Sequence, residues 1–457
     1  MNFAIVRYLI GWMLGIESIF LLLPALTAVI YGEPELPAYL IAAAISLAGA
    51  ALLCHRKPKN TRFYAREGYV TVALCWLILA VIGALPFVLS REIPFFIDAL
   101  FETVSGFTTT GATILGDVEA LSHASMLWRC LTHWVGGMGV LVFMLIVLPL
   151  AGGQTIFLMR AESPGPAVSK MSPHMRDTAT ILYAIYFGLT VLQMILLLIG
   201  GMPFFDAICV SLGTAGTGRF GNWNDSIAHY NSAYLQNVIT VFMILFGINF
   251  SAYFLILTRK FRQAFRIEEI RVYLGVIFVF AGLIAFNVRP MFGSLRESFH
   301  HALFQVASII TTTGFSTVDF DQWPTFSRAL LVLLMFIGAC AGSTGGGIKC
   351  SRILLLGKSV KKEMMCLIHP RLVRVNKMDG QRVPHEVMRS INVFVVAYAF
   401  IFILSLLIIS LNCEDLVTCF TSVATTLNNV GPGLSLCGPT CNFDFFPPLS
   451  KGVLIFD

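Results

Sequence analysis

The sequence predicts an all-α polytopic membrane protein with an N-terminal helix pair and four pseudo-repeats around a central pore. Three observations support this fold class. The 457-residue chain is 57% hydrophobic and only 12% charged, whereas a soluble protein carries about 25% charged residues. Its apolar residues lie in long runs, and a run of roughly 20 such residues spans a bilayer as a helix. Between these runs, four short amphipathic stretches each end in a tight turn that contains glycine.

Nine apolar runs predict the spanning helices. They cover Val6–Tyr31, Ala38–Leu53, Tyr69–Leu89, Met126–Leu150, Ala179–Ile199, Tyr234–Leu257, Val272–Val288, Ala329–Leu355 and Val387–Leu411. The first run is too long for a signal peptide and has no clear small-residue cleavage site, so we expect it to remain as a membrane helix.

Charge alternates between the loops that connect the predicted spans. The basic loops are His55–Arg66, Arg160–Arg176, Arg259–Arg271 and Lys358–Arg389. The loops between them are mostly acidic or neutral. Because positive loops stay on the cytoplasmic side, this pattern predicts an N-terminus inside and all four glycine turns toward the outer face.

The four turns share a register with the helices that precede them. Their sequences are TTTGAT (Thr108–Thr113), GTGRF (Gly216–Phe220), TTTGFST (Thr311–Thr317) and NNVGPG (Asn428–Gly433). When they are aligned on the glycine, with Arg219 in its place in the second turn, Ser105, Ser308 and Thr425 fall at one offset. The alignment indicates one structural unit used four times.

Each unit contains an apolar stretch that is too short to span the membrane. Phe95–Phe107 is the first example, and we expect it to form a re-entrant half-helix. A pseudo-repeat is then a spanning helix, a re-entrant pore helix with its filter loop, and a second helix. The predicted division is 1–66 for the N-terminal pair, followed by repeats 1 to 4 at 67–170, 171–268, 269–378 and 379–457.

The turn composition suits a desolvated cation. Backbone carbonyls around an axis can replace the water shell of an ion, and glycine permits the left-handed angles that align successive carbonyls. A half-helix entering from outside points its partly negative end toward the middle of the membrane. Oxygen ligands without carboxylates suit a monovalent ion, because a divalent site normally carries Asp or Glu. The alternative is that these are simply glycine turns that end short helices.

These motifs resemble those of TrkH/TrkG/KtrB-type potassium uptake subunits, members of the Trk/Ktr/HKT superfamily. FETVSGFTTTGAT, TTTGFST and LNNVGPGL are similar to the filter loops of that family. GSTGGGIK (Gly342–Lys349) resembles its gating segment, and RAESPGP (Arg160–Pro166) resembles its first cytoplasmic connector. The resemblance covers essentially the whole chain.

The resemblance implies a potassium-selective pore in a bacterial or archaeal cytoplasmic (inner) membrane. It further implies a homodimer that works with a cytosolic, nucleotide-binding regulatory subunit of the TrkA/KtrA type. K⁺ is then the transported ion, and we expect no organic cofactor in this chain and no nucleic acid partner. Carried over by position, the backbone that holds the ion belongs to Thr109, Thr110, Gly111, Thr217, Gly218, Thr312, Thr313, Gly314, Asn429, Val430 and Gly431.

Two features depart from the family pattern. Arg219 stands where the family has a filter glycine, and an inward guanidinium would oppose a cation strongly. Because its stem is long, we expect the side chain to reach outward to water and selectivity to be weaker than in a four-glycine filter. The second departure is Leu449–Asp457, which is too short to cross the membrane. We therefore expect the sequence to be a fragment without the family's terminal helix.

A glycine-rich stretch interrupts the span Ala329–Leu355. Each glycine weakens a helix by about 1 kcal/mol relative to alanine, so we expect this span to break. The predicted gate, on the cytoplasmic side below the third filter loop, consists of Gly342, Ser343, Thr344, Gly345, Gly346, Gly347 and Lys349. A nucleotide loop would need Gly-Lys-Ser/Thr, which is not present here. Close helix packing through small residues is the alternative.

Two polar residues, Arg129 and His133, share one face of the span that begins at Met126. Intramembrane charges are usually paired or functional. Snorkelling of Arg129 to the outer interface and a structural hydrogen bond from His133 are the simpler interpretations, and we do not predict a proton relay.

The sequence predicts potassium ion uptake. A cation-coupled secondary symporter is the alternative, although that class usually has inverted repeats and a buried ion site. Here the repeats run parallel, and no predicted span of the four repeats carries an acidic residue. A membrane enzyme is disfavoured because no nucleophile or metal set is recognisable.

Overall fold

The computed structural model describes residues 2–58, 65–147, 175–369, 371, 375–413 and 415–457. An N-terminal pair, α1 (Phe3–Tyr31) and α2 (Leu36–Cys54), opens the fold. The two helices approach closely through small residues, since a β-carbon added at Gly11 would lie 2.6 Å from the Cys54 sulfur. The predicted connector Arg160–Pro166 lies outside the described residues.

The rest of the described chain is almost entirely helical, as the all-α prediction requires. The helices are α3 (Ala65–Ser90), α4 (Phe96–Phe107), α5 (His123–Val147), α6 (Met175–Ile199), α7 (Phe204–Gly216), α8 (Ala233–Phe246), α9 (Phe250–Leu257), α10 (Phe261–Ala264), α11 (Glu268–Phe292), α12 (Leu295–Ile310), α13 (Thr325–Ile337), α14 (Cys350–Ile368), α15 (His385–Ser410), α16 (Leu416–Leu427) and α17 (Pro448–Phe456). Single 3₁₀ turns lie at Ser226–His229, Phe320–Gln322 and Ser435–Cys437. One antiparallel hairpin pairs β1 (Lys377–Met378) with β2 (Gln381–Arg382).

Six described helices are long and apolar enough to cross a membrane, or seven if a bent pair counts as one span. Their outward surfaces carry exposed apolar side chains such as Leu52, Phe286 and Phe400, which suits contact with lipid. The chain is therefore a multi-pass membrane protein. Two further predicted spans correspond to α5 and to the interrupted pair α13 and α14.

One predicted span, Tyr234–Leu257, is wrong as a single straight helix. It divides into α8 and α9, which meet at an angle of 93°. The Asn249 side chain accepts the N–H of Ser251 and so starts the second helix. The carbonyl of Gly247 leaves the helical pattern and accepts the N–H of Cys340 at 3.1 Å. A distant part of the chain thus stabilises the bend.

The span Ala329–Leu355 is broken, as its glycines predict. Helix α13 ends at Ile337, and α14 begins only at Cys350. The residues between them, Gly338–Lys349, are here called the glycine-rich loop.

Four short helices, α4, α7, α12 and α16, stand between longer ones and each leads into one of the four turns. They contain 12, 13, 16 and 12 residues. At 1.5 Å per residue they are too short to cross a bilayer. Helix α4 begins and ends within one residue of the predicted stretch Phe95–Phe107.

Candidate functional site

The four turns repeat one hydrogen-bond pattern. Each pattern has two backbone bonds. The residue two positions before the aligned one donates its N–H to the carbonyl of the residue three positions before itself. The residue after it donates its N–H to the carbonyl of the residue five positions before itself. In the first turn these bonds join Thr109 to Gly106 at 3.1 Å and Thr110 to Ser105 at 2.9 Å. The residues two positions before the aligned glycine have left-handed φ angles: Thr109 62°, Thr217 57°, Thr312 60° and Asn429 57°.

Three of the aligned positions need glycine. Gly111, Gly314 and Gly431 have φ angles of 72°, 79° and 93°, which L-residues rarely adopt. Arg219, the aligned residue of the second turn, is not among the residues with positive φ. The second turn therefore accepts a side chain without the backbone strain that the other three would suffer.

The four turns meet one another, and this meeting place is here called the turn ring. A β-carbon added at Gly111 would lie 2.5 Å from Arg219 Cβ, and one added at Gly431 would lie 2.8 Å from the Thr110 carbonyl oxygen. The Thr110 hydroxyl donates to Asn429 Oδ1 at 2.9 Å. The fold thus brings the first, second and fourth turns into direct contact.

The third turn completes this arrangement. A β-carbon added at Gly314 would lie 2.4 Å from the Val430 carbonyl oxygen and 3.1 Å from Arg219 Cβ. Thr312 and Thr313 are fully buried. All the residues that sequence analysis assigned to an ion site therefore lie in four turns packed against each other.

The Arg219 side chain runs from the turn ring toward the segment Leu434–Pro447. Its Nη2 donates to the carbonyl of Pro439, while Nη1 is buried without a hydrogen-bond partner. The expectation that this side chain reaches water is met only in part: the residue is half-buried, and its guanidinium bonds to a protein segment. A fixed positive charge consequently stands at the end of the turn ring nearest that segment.

Side-chain hydroxyls brace two of the turns from behind. Ser105 Oγ donates to the Ala112 carbonyl, and Ser308 Oγ donates to the Phe315 carbonyl, both at 2.6 Å. The second turn has Gly213 at this position, where an added β-carbon would lie 2.8 Å from the Phe220 carbonyl oxygen. The first and third turns therefore share a hydroxyl bond that the second turn lacks.

The glycine-rich loop packs against the third and fourth turns. Gly346 N–H donates to Thr312 Oγ1 at 2.7 Å. A β-carbon added at Gly345 would lie 2.7 Å from the Thr311 carbonyl oxygen, and one added at Gly346 would lie 2.7 Å from that of Asn428. Only glycine allows an approach this close.

The other predicted gate residues hold the loop in shape. Ser343 Oγ donates to the Cys340 carbonyl at 2.6 Å, and Thr344 Oγ1 donates to the Phe246 carbonyl at 3.3 Å. Lys349 Nζ donates to the Gly345 carbonyl. Gly342 and Gly347 have φ angles of 72° and 76°, so each makes a turn that favours glycine.

Arg129 is buried, and the snorkelling interpretation is wrong. It is 2% exposed, and its Nη2 lies 2.7 Å from Oε1 of Glu102, which is 1% exposed. The same Glu102 carboxylate accepts the N–H of Ile114 at 3.1 Å. The Arg129 guanidinium carbon lies 4.1 Å from the centre of the Phe220 ring. Glu102 was not among the predicted site residues, although a carboxylate on a re-entrant stretch is itself a signal of a buried partner.

His133 makes structural hydrogen bonds on both ring nitrogens. Its Nδ1 lies 2.8 Å from the Gly106 carbonyl, and the Phe220 N–H donates to Nε2 at 3.2 Å. A carbonyl only accepts and an N–H only donates, so the ring is neutral with its proton on Nδ1. His133 and Arg129 together connect α4 to the second turn.

A family model described as "TrkH: Cation transport protein" matches residues 37–279 and 279–457. The chain belongs to the TrkH family. It is therefore a membrane transport protein and not an enzyme, and the resemblance drawn from its motifs is confirmed.

Named relatives of this TrkH-family chain agree along its full length. It is 37% identical to the Trk system potassium uptake protein TrkH of Salmonella typhimurium, over 100% of this chain and 95% of that protein. It is 33% identical to TrkG of Escherichia coli, over 94% of this chain and 90% of that one. The crystal structure of the potassium transporter TrkH from Vibrio parahaemolyticus superposes with a TM-score of 0.89 at 31% identity, covering 100% and 95% of the two chains.

Proposed function

We propose that this chain takes up K⁺ across the cytoplasmic membrane through a selectivity filter formed by the turn ring. The observation that carries the proposal is the shared backbone geometry of four turns that pack against one another. The relatives named above are potassium uptake proteins, which supports the choice of ion.

The chemistry of the turns favours a monovalent cation. Backbone carbonyls supply neutral oxygen ligands, and the C-terminal ends of α4, α7, α12 and α16 place partial negative charge nearby. The buried carboxylate of α4, Glu102, already pairs with Arg129. The proposed ligands are the backbone carbonyls of the eleven turn residues assigned above, from Thr109 to Gly431.

The glycine-rich loop is the proposed gate. It packs against the third and fourth turns through Gly345 and Gly346, at the ends of α12 and α16. A loop in this position closes the lower side of the turn ring when it is ordered. Movement of the loop away from Thr312 is the proposed opening step.

The remaining proposals concern topology and assembly. We place the N-terminus inside and the turns toward the outside, because the basic loops must be cytoplasmic. We divide the chain into the N-terminal pair and four pore repeats with the bounds predicted above. We further propose a homodimer that a cytosolic, nucleotide-binding subunit of the TrkA/KtrA type regulates.

A flux assay tests the proposed function. The full chain in proteoliposomes should take up ⁸⁶Rb⁺, and K⁺ should compete with it more strongly than Na⁺. Empty liposomes and liposomes with an unrelated membrane protein are the controls. Uptake of an organic solute driven by a Na⁺ or proton gradient, with no alkali cation flux, would favour a secondary symporter instead.

A further inference from the structure

We propose that Glu269 is a positioning residue that clamps both ends of the glycine-rich loop and so holds the gate closed. This inference rests on the proposed function of that loop. Glu269 lies in the first turn of α11, three residues before the predicted span Val272–Val288. Glu269 therefore lies outside the predicted span, in the first turn by which the structure extends that helix.

One carboxylate oxygen makes both contacts. Glu269 Oε1 accepts the N–H of Ala341 at 2.7 Å and the N–H of Ser351 at 2.9 Å. Ala341 lies near the start of the loop, and Ser351 lies just after its end. A single atom on α11 therefore connects two points that are ten residues apart in sequence.

The environment strengthens these bonds. Glu269 is 3% exposed, and a hydrogen bond to an ionised acceptor is roughly twice as strong as a neutral one. Breaking it in a buried site leaves the carboxylate without compensation, which is costly. Releasing either end of the loop from Glu269 is therefore unfavourable, because it breaks a bond to a buried carboxylate.

Other bonds fix the N-terminal part of the loop to the bent pair α8 and α9. Cys340 N–H donates to the Gly247 carbonyl, and Phe250 N–H donates to the Gly342 carbonyl at 3.0 Å. These are neutral backbone bonds. Glu269 supplies a charged contact from outside the loop, so we expect a change of this side chain to loosen the ends of the loop.

Glu268 provides a matched control. It precedes Glu269 in the same helical turn but faces Lys358 of α14, with which it forms an ion pair, and its side chain is 29% exposed. Within the described residues, the hydrogen bonds and the ion pair of Glu268 go to Asp379 and Lys358 and not to the loop. Glu268→Gln therefore removes one negative charge from the same turn of α11 and leaves the loop bonds intact.

The experiment compares Glu269→Gln, Glu269→Ala and Glu268→Gln in the full chain. Glutamine keeps an oxygen that can accept both N–H groups but removes the charge, so ⁸⁶Rb⁺ flux should rise by about tenfold or less as the bonds become neutral. Alanine removes the acceptor and should raise flux further. Glu268→Gln should stay within about twofold of the unchanged chain, as surface ion pairs contribute little.

Hydrogen–deuterium exchange gives a second readout that does not depend on transport. Peptides that cover residues 338–352 should exchange faster in Glu269→Gln, whereas peptides from α1 and α2 should not change. If the unchanged chain conducts and Glu269→Gln alters neither its flux nor loop exchange, the clamp is disproved. If no chain conducts but exchange rises as expected, the clamp stands and the proposed function fails. Faster exchange with unaltered flux would show that the loop is held by Glu269 but is not a barrier to ions.

Discussion

Gly111 and Arg219 approach so closely that a β-carbon added to Gly111 would lie 2.5 Å from the Cβ of Arg219. The arginine at this position therefore occupies the place where the four turns meet. Its guanidinium, fixed under the segment Leu434–Pro447 through Pro439, adds a positive charge on the proposed path of a cation.

Replacing Arg219 with glycine should increase K⁺ flux and sharpen discrimination between K⁺ and Na⁺. Two unit charges at 4 Å repel by about 4 kcal/mol at an effective dielectric constant of 20, so we expect a gain of at least about tenfold in ⁸⁶Rb⁺ uptake. Arg219→Met keeps bulk without charge, and Arg219→Lys keeps the charge. If all three variants matched the unchanged chain, the charge would lie off the ion path.

Gly314→Ser should lower K⁺/Na⁺ selectivity. Serine would be strained at a φ of 79°, and its β-carbon would lie 2.4 Å from the carbonyl oxygen of Val430, which must then move. Competition of Na⁺ against ⁸⁶Rb⁺ uptake measures the change. Gly282→Ser is the control, because Gly282 has no atom within 4 Å of an added β-carbon. Intact selectivity in Gly314→Ser would contradict the filter assignment.

Breaking the Glu102–Arg129 pair should both destabilise the protein and reduce selectivity. Removing one partner of a buried pair costs about 3–5 kcal/mol, so Arg129→Met should lower the melting temperature in detergent. The double variant Glu102→Gln/Arg129→Met leaves no buried charge and should recover part of that loss. Selectivity should fall in both, because Arg129 packs on Phe220, next to the second turn. If the loss in the double variant equalled the sum of the losses in Arg129→Met and Glu102→Gln, the two side chains would not act as a pair.

Deleting Gly345–Gly347 should raise K⁺ flux. Gly345 and Gly346 fill the space against Thr311 and Asn428, so a shorter loop cannot cover the turn ring. Uptake of ⁸⁶Rb⁺ by the folded variant is the measurement, with size-exclusion chromatography to show that it is folded. Unchanged or lower flux in such a variant would contradict the role of the loop as a gate.

Sequence alone predicted the short helices and the broken span well, because both depend on local features. A stretch such as Phe95–Phe107 is too short to cross a bilayer, and a turn with glycine ends it. The break between Ile337 and Cys350 follows from the concentration of glycines, which weaken a helix wherever they cluster.

Features that depend on distant contacts could not be predicted in this way. A single glycine, Gly247, is tolerated within many helices, so the apolar run around it indicated one continuous span. At the bend, the Gly247 carbonyl instead accepts the N–H of Cys340, far along the chain. The partner of Arg129 lies 27 residues away on another helix, and no spacing rule connects the two.

The contact between Thr110 and Asn429 joins residues 319 positions apart, and Phe443 N–H also donates to the carbonyl of Thr113 at 2.8 Å. The first turn therefore finds its final neighbours only after the last quarter of the chain has been synthesised. During translation, the first turn lacks these two partners until Asn429 and Phe443 have been added to the chain. The order in which a ribosome makes the chain thus sets the earliest moment at which the turn ring can be complete.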